Sequence, residues 1–211
     1  MSYNKPMGSS NQELEVKFYL SDGSGFIARL NAAGGVLLKP RVHEINLRFD
    51  TRDRQLAQAS QVLRLRLDRE ARLTFKGAGK EQDGVQLRQE LEFVVSDFDT
   101  ARAFLEALRY EVAFLYEKYR ATYTLGDVLV TVDEMPFGFF AEIEGPDVPR
   151  IHAAANRLEL DWEARILESY TVLFDRLKAS LGLAVRDLSF ENFIGIDVSA
   201  VDLGVQFADG D

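Results

Sequence analysis

The sequence predicts an α+β protein built on a closed or nearly closed eight-stranded antiparallel β-barrel, a tunnel with a charged interior and helices packed outside. Apolar and polar residues alternate with a period of two in about eight segments, as in strands that bury one face. These segments follow one another with few helical stretches between them, which favours a meandering antiparallel sheet. Charges on the polar faces often share one sign, which indicates an enclosed polar interior.

The composition is that of one globular domain and limits the partners. The 211 residues are 46% hydrophobic and 28% charged, enough for a single sizeable core. The net charge of -9 argues against binding of extended nucleic acid, but a small anion needs only a local cationic site. The absence of cysteine excludes disulfides and thiolate metal sites. Because no apolar run has the length of a membrane span or the form of a signal core, we expect a cytoplasmic protein with no membrane partner.

The first half of the chain is predicted to contain five strands and one helix. We expect residues 1–10 to be disordered and a tunnel domain to span residues 11–181. Alternation over residues 12–20 predicts a strand, and residues 21–33 predict a helix that ends at Gly34 and Gly35. Four further strands are predicted over residues 43–49, 62–67, 72–76 and 85–95. The polar, glycine-bearing residues 77–84 are predicted to separate the last two.

The second half is predicted to contain three strands between helices. A helix begins near residues 96–99, with its apolar stripe formed by Phe98, Ala101, Phe104, Leu105 and Leu108. Strands follow over residues 114–125, 128–134 and 139–144, with a tight turn at Gly126 and Asp127 between the first two. Helices over residues 148–158 and 162–181 are predicted to pack outside the sheet. Residues 182–211 form an acidic, turn-rich tail to which the sequence assigns no role.

Like-signed charges two residues apart recur on the polar faces. Arg64 with Arg66 and Lys118 with Arg120 are basic pairs, and Glu142 with Glu144 is an acidic pair. Such side chains lie roughly 6 to 7 Å apart on one face of a strand and repel each other. One such pair is common on a solvated sheet. Separation of the two charge signs into such pairs over several strands instead indicates that each pair binds a counter-ion. The basic pairs would bind phosphate oxygens, and the acidic pairs would bind a hard dication such as Mg²⁺ or Mn²⁺.

Closing the sheet would turn this charged face inward and the apolar face outward. That arrangement inverts the usual small barrel, whose interior is apolar. Because unpaired buried charge is strongly destabilising, such an interior has to contain water, ions or a ligand. The side chains expected to face the covering helices are Leu14, Val16, Leu63, Leu65, Phe75, Leu91, Phe93 and Ile143.

The charged motifs, in their order along the chain, resemble the CYTH superfamily, the triphosphate tunnel metalloenzymes, which include class IV adenylyl cyclases and thiamine triphosphatases. The opening Glu-x-Glu-x-Lys motif is Glu13, Glu15 and Lys17, and alone it is too short to be specific. The later matches are Arg64 and Arg66 in Leu-Arg-Leu-Arg, Lys76 in Thr-Phe-Lys-Gly, Arg88 before Glu90 and Glu92, Lys118 and Arg120 in Glu-Lys-Tyr-Arg, Asp133, and Glu142 and Glu144. The resemblance covers roughly residues 11–180, including the pair Ser169 and Tyr170.

The resemblance implies a role for each of these positions. Metal ligands would be Glu13, Glu15, Glu142 and Glu144, with Asp133, Glu90 and Glu92 as further acidic candidates for Mg²⁺ or Mn²⁺. Phosphate-binding residues would be Lys17, Arg64, Arg66, Lys76, Arg88, Lys118 and Arg120. As a hypothesis, Lys17 or Tyr170 also assists proton transfer as a catalytic residue; the alternatives are a simple phosphate contact for Lys17 and helix packing for Tyr170.

Three functions are compatible with such a tunnel. A triphosphatase would use water to attack the terminal phosphorus, and a class IV adenylyl cyclase would use the ribose hydroxyl of ATP to attack the α-phosphorus. We favour hydrolysis, because cyclisation demands one exact ribose pose. A non-catalytic module that binds polyphosphate or a nucleotide is the third. The ligand would be ATP, thiamine triphosphate or inorganic triphosphate. Many of the proteins resembled are dimers, so a homodimer is one expected assembly.

The remaining aromatic and histidine residues are expected to be structural. His43 and His152 do not have the spacing of a metal site. Trp162, Phe137, Phe139 and Phe140 are expected to pack in the core or at strand ends, with contact to the organic part of a substrate as the alternative for the phenylalanines.

Overall fold

The computed structural model describes residues 12–210, and for Gln12 and Glu13 it describes the backbone alone. The predicted disordered residues 1–10 lie outside this range. The described chain contains nine strands. Their bounds are β1 Gln12–Leu20, β2 Val36–Asp50, β3 Val62–Leu67, β4 Ala71–Lys76, β5 Lys80–Gln82, β6 Val85–Val95, β7 Glu111–Leu125, β8 Val128–Met135 and β9 Gly138–Glu144.

Eight of these strands close into a ring, as the sequence predicted. Every pairing between neighbouring strands is antiparallel, in the order β1-β9-β8-β7-β2-β3-β4-β6, and β6 pairs back to β1. Glu15 of β1 shows the closure, because its Cα partner is Glu144 on one side and Gln86 on the other. The short strand β5 lies beside β6 in the stretch predicted to be a break. The ring is not evenly arranged around one axis, and the class is α+β.

Six α-helices lie in the described chain. Their bounds are α1 Gly23–Ala32, α2 Gln55–Gln58, α3 Phe98–Ala107, α4 Val148–Arg157, α5 Tyr170–Leu181 and α6 Ala200–Leu203. Aspartates or serines that accept from backbone N–H groups begin five of them; examples are Asp22 for α1 and Asp147 for α4. Phe26 of α1 and Ile151 of α4 are fully buried against the outer apolar face of the ring. α3 packs over β3 around Leu65 and Leu105.

The expected burial of the outer apolar face is confirmed on one side and wrong on the other. Val16, Leu65 and Ile143 are buried beneath helices. Leu91 and Phe93, on β6, are 42% and 59% exposed. Their exposure follows from where the helices lie, because α1 and α4 pack over β1, β8 and β9, and α3 packs over β3.

The long helix predicted over residues 162–181 is wrong. The structure has a 3-10 turn at Trp162–Ala164, an extended stretch, and then α5. In the extended stretch Ile166 donates its N–H to the carbonyl of Lys17 at 2.7 Å, and Lys17 donates back. β6 pairs with β1 only as far as Glu15. Because the backbone groups of Lys17 would otherwise be unpaired, extended chain at Ile166 replaces helix there.

The segment after Gly182 packs against one end of the ring. Leu188, Phe193 and Leu203 are buried, and they cluster with α5 and with Phe140 of β9. Leu188 exchanges backbone hydrogen bonds with β7, at Leu115 and Glu117, and Ala208 donates to the carbonyl of Tyr19 in β1. This segment and α5 therefore cover the end of the ring at which β1 finishes and β7 and β9 begin.

Candidate functional site

Inside the ring, a first group of ion pairs joins β1, β7, β8 and β9. Lys17 Nζ lies 2.9 Å from Glu142 Oε1, and Lys118 Nζ lies 2.9 Å from Asp133 Oδ2. The Arg120 guanidinium contacts both Glu142 and Asp133. Asp133 is fully buried, and Lys17 is 6% exposed. Five predicted site residues thus meet in one enclosed place, although they come from four different strands.

A second group of charges lies on β3, β4 and β6. Lys76 Nζ lies 2.9 Å from Glu90 Oε2. Arg64 and Arg66 both reach Glu92, with N–O distances of 3.5 and 3.3 Å. These five predicted residues also lie on the inner face of the ring, since they alternate with the outward apolar residues of the same strands.

Arg88 lies at the margin of this second group. Its guanidinium donates to the carbonyl oxygens of Gly77 and Ser60, and its Cα faces that of Glu13 across β1 and β6. The side chain of Glu13 is outside the described part of the chain. The predicted role of Glu13 as a metal ligand therefore stays a prediction.

Glu44 links the two groups and was missed in the sequence. It lies on β2 between them, 3.7 Å from Lys118 Nζ and 3.9 Å from Arg66 Nη1, and is 2% exposed. Burial by itself would raise the pKa of Glu44, but Lys118, Arg120 and the other cations outweigh it, so the pKa is lowered. Glu44 belongs to no like-signed pair, because its neighbours on that face are Asn46 and Arg48. The alternation of inward and outward residues along β2 is by itself enough to place Glu44 on the inner face.

Glu15 and Glu144 are two of the predicted metal ligands. They are directly opposite each other on β1 and β9, where two like charges would repel. Carboxylate oxygens are the ligands that Mg²⁺ and Mn²⁺ prefer. Among the described side chains, no group of three or more acidic or histidine residues surrounds a common point. Glu142, predicted as a metal ligand, contacts Lys17 here, and the further acidic candidates also contact lysines or arginines; these are Glu90, Glu92 and Asp133.

Lys17 and Tyr170 are in contact at the covered end of this interior. The Tyr170 hydroxyl donates to Asp133 Oδ2 at 2.8 Å, and Lys17 Nζ lies 4.5 Å from the centre of the Tyr170 ring. Burial raises the pKa of Tyr170 well above 10.0, and Asp133 and Glu142 raise it further. Burial would lower the pKa of Lys17, but Glu142 and Glu15 outweigh it and the pKa is raised above 10.5. Both groups are therefore protonated at neutral pH and can act as donors, not as bases.

Tyr116 is a second phenol in the interior that the sequence did not single out. Its hydroxyl lies 3.3 Å from Arg64 Nη1, and the residue is 9% exposed. Burial would raise its pKa, but Arg64 and Lys118 outweigh it and the pKa is lowered. Tyr116 and Tyr170 thus have opposite tendencies, because one faces cations and the other faces carboxylates.

Most of the aromatic residues pack in the core or at strand ends, as the sequence predicted. Phe137 and Phe140 are buried near the covered end, and Phe140 contacts Tyr170 with ring centres 5.1 Å apart. Phe139 is 38% exposed. His43 packs on Tyr119, and His152 on Trp162, at centroid distances of 4.8 and 4.6 Å. Neither histidine takes part in the charged interior.

Comparisons with known proteins place this charged ring in a family. The model of the CYTH domain matches residues 11–175, and the chain therefore belongs to the CYTH domain family. Family members are enzymes that act on triphosphate substrates and generally depend on divalent metals. No curated protein matches the chain. None of the described helices is long and apolar enough to cross a membrane.

Several solved structures share the fold. One is a "putative adenylate cyclase" from Vibrio parahaemolyticus, with a TM-score of 0.70 and 23% identity over 79% of this chain and 99% of that one. A conserved hypothetical protein from Pyrococcus furiosus has a TM-score of 0.64 and 23% identity over 75% and 97%. HpAC1 from Hippeastrum, described as a "putative adenylyl cyclase" with a dominant triphosphatase activity, has a TM-score of 0.53 and 21% identity over 68% and 84%. At these identities the likeness concerns the fold.

Proposed function

We propose that this chain is a divalent-metal-dependent triphosphatase that binds the triphosphate end of a small substrate inside the ring. The observation that carries the proposal is the convergence of several lysines and arginines on one interior, where Lys17, Arg66 and Lys118 are buried, in a protein whose net charge is -9. The carboxylates beside these cations compensate their charge, and the oxygens of an anionic ligand can take over that role. A triphosphate supplies several negative charges in a short, linear group.

The cations of the interior would bind the phosphate oxygens. Each of them contacts a carboxylate or a carbonyl oxygen, and phosphoryl oxygens can replace those partners with similar geometry. Arginine is suited to this exchange, since its guanidinium donates two parallel hydrogen bonds. The residues proposed for this role are Lys17, Arg64, Arg66, Lys76, Arg88, Lys118 and Arg120.

A divalent cation, Mg²⁺ or Mn²⁺, would be held chiefly by Glu15 and Glu144. Their opposed positions fit a dication because it would relieve the repulsion between them. Glu13 and Glu142, two residues away on the same strands, are the proposed additional ligands. When bound, the ion neutralises charge on the phosphates and activates water. Glu90, Glu92 and Asp133 would instead orient the cations that they contact.

Lys17 would act on the leaving phosphate, and Tyr170 would support the cations beside it. In hydrolysis, water attacks the terminal phosphorus, the bridging P–O bond breaks, and negative charge develops on the bridging oxygen. Lys17 is protonated and buried, so it can stabilise this charge or donate a proton to it. Tyr170 donates to Asp133, which also contacts Lys118 and Arg120. Tyr170 would therefore position these cations.

A second candidate is an adenylyl cyclase. Two of the similar structures described above have adenylate or adenylyl cyclase in their names. Cyclisation of ATP also requires a site that binds the triphosphate. It also needs a site that orients the ribose and adenine. A binding module without turnover is the third candidate.

One assay separates the three. Purified protein is incubated with inorganic triphosphate, thiamine triphosphate or ATP, each with Mg²⁺ or Mn²⁺, and phosphate and cyclic AMP are measured in the same samples. We expect metal-dependent release of phosphate. Cyclic AMP from ATP would identify a cyclase, and binding without either product would identify a module that does not catalyse.

Two matched variants test where the reaction takes place. Arg64→Met removes a guanidinium from the interior, and we expect kcat/KM to fall about 100-fold. Arg41→Met removes a guanidinium that pairs with Glu134 on the outer face, and we expect kcat/KM to stay at the wild-type value. Equal losses in the two variants would contradict a reaction inside the ring.

A further inference from the structure

Asn46 of β2 is a fully buried amide with no partner. It lies between Glu44 and Arg48 on the inner face of β2, and its exposed fraction is 0%. Within residues 12–210, neither Oδ1 nor Nδ2 has a hydrogen-bond partner. Buried amides in native proteins are nearly always hydrogen-bonded, because an unpaired one loses its bonds to water without replacement. Its position therefore calls for a partner that the protein itself does not supply.

The neighbours of Asn46 are proposed phosphate-binding groups. Its Cα partners are Arg66 on β3 and Tyr116 on β7. Arg66 is held by Glu92 at 3.3 Å and lies 3.9 Å from Glu44, and Tyr116 contacts Arg64. Glu44 Oε2 also lacks a hydrogen bond within the described chain. If phosphoryl oxygens replaced Glu92 as the partner of Arg64 and Arg66, the amide beside these arginines would lie within reach of the same ligand.

We propose that Asn46 is a direct binding residue for the triphosphate and that its Nδ2 donates to a phosphoryl oxygen. The inference rests on the proposed function and adds a neutral contact to a site otherwise made of charges. An amide contributes directionality because its two N–H bonds have fixed orientations, whereas an ammonium attracts an anion from any side. Asn46 would thus help to set the position of the phosphate chain among the cations.

The test uses an apolar side chain of nearly the same shape. In Asn46→Leu the unpaired amide is gone, so we expect the Tm of the ligand-free protein to equal or exceed that of wild type. We expect the Kd for inorganic triphosphate, measured by calorimetry with and without Mg²⁺, to rise about tenfold, as for loss of one hydrogen bond to a charged group. Asn156→Leu makes the same change on the outer helix α4 and should leave that Kd unchanged.

The outcomes separate the inference from the proposed function. An unchanged Kd for Asn46→Leu would mean that the amide does not touch the ligand, and this result overturns the inference. If that variant does not fold, Asn46→Asp is measured instead: its carboxylate can pair with Arg66 and repels the triphosphate. An unchanged Kd in that variant overturns the inference too. Failure of the wild-type protein to bind triphosphate would overturn the proposed function and, with it, the inference.

Discussion

At the scale of single residues, the interior is governed by which charges face each buried group. Tyr170 and Tyr116 are both buried phenols, yet Asp133 raises the pKa of one and Arg64 lowers that of the other. Lys17 shows the same competition, since burial favours its neutral form and Glu142 favours its charged form. The side chain alone does not decide the protonation state; burial and the charges nearest to each group decide it together.

The hydroxyl of Tyr170 gives the first prediction at this scale. Tyr170→Phe removes the hydrogen bond to Asp133, which keeps its contacts with Lys118 and Arg120. We expect the free energy of unfolding to fall by about 2 kcal/mol, as for other hydrogen bonds to a charged group. We expect kcat at saturating triphosphate to stay close to the wild-type value. Urea denaturation and steady-state kinetics measure the two quantities.

A fall in kcat of about 100-fold or more in Tyr170→Phe would contradict this expectation and assign proton transfer to the hydroxyl. The pH profile of kcat distinguishes that role from simple misplacement, because only loss of a proton donor removes a limb of the profile.

At the scale of elements, segments distant in sequence complete the edges of the ring. β6 leaves the edge of β1 unpaired beyond Glu15, and Ile166 and Ala208 supply the missing backbone partners. Leu188 does the same for the start of β7. These pairings account for the break in the predicted helix and for the packing of residues 182–210. Residues 182–210 pack against α5, which begins at Tyr170, and so they help to hold Tyr170 in place.

The packing of this segment gives the second prediction. Leu203 is fully buried, and Val201, two residues earlier in α6, is 86% exposed. We expect Leu203→Ala to lower the free energy of unfolding by about 2–5 kcal/mol, because it leaves a cavity against α5. We expect Val201→Ala to change it by less than about 0.5 kcal/mol. Urea denaturation of both variants makes the comparison; similar losses would mean that the segment does not pack as described.

At the scale of the whole molecule, stability depends on opposite charges that are buried together. Burial would raise the pKa of Glu142, but Lys17 and Arg120 outweigh it and hold the pKa well below 4.5. Its stabilising effect is therefore complete above pH 4.5, the ordinary value for the unfolded chain, and is lost as the pH falls through the lower folded value. Lys17 has a raised pKa, so its contribution is complete below pH 10.5 and is lost as the pH rises through the folded value.

The third prediction follows from these two groups. We expect the free energy of unfolding to be nearly constant around neutral pH and to fall below about pH 4.5. Glu142→Gln removes the titrating group. The variant should therefore have a lower free energy of unfolding than the wild-type protein at neutral pH, and this free energy should depend less on pH in the acid range. Urea denaturation of both proteins at several pH values from about 3 to about 8 measures the two curves. This interval includes the ordinary carboxyl pKa values and neutral pH. Parallel curves for the two proteins would contradict a folded pKa of Glu142 below its unfolded value.

Much of the ring could be predicted from alternation, because a strand with one apolar and one charged face has a period of two that the chain shows directly. The strands at Gln12–Leu20, Val62–Leu67 and Val85–Val95 were predicted with the observed limits. Helix packing was less predictable: Leu91 and Phe93 alternate like buried residues but are exposed, because the helices pack mainly over other strands. Glu44 and Asn46 were missed because their face of β2 carries no like-signed pair.

The sequence by itself determined which side chains share a face of each strand, since that depends only on backbone geometry within a few residues. It therefore determined the charged lining and the family to which the motifs belong. Only the tertiary structure decided which charges from different strands meet, that Glu44 joins the two groups, and that Ile166 and residues 182–210 complete the ring. Those outcomes depend on register and on backbone groups left unpaired at strand edges, which are properties of the assembled sheet.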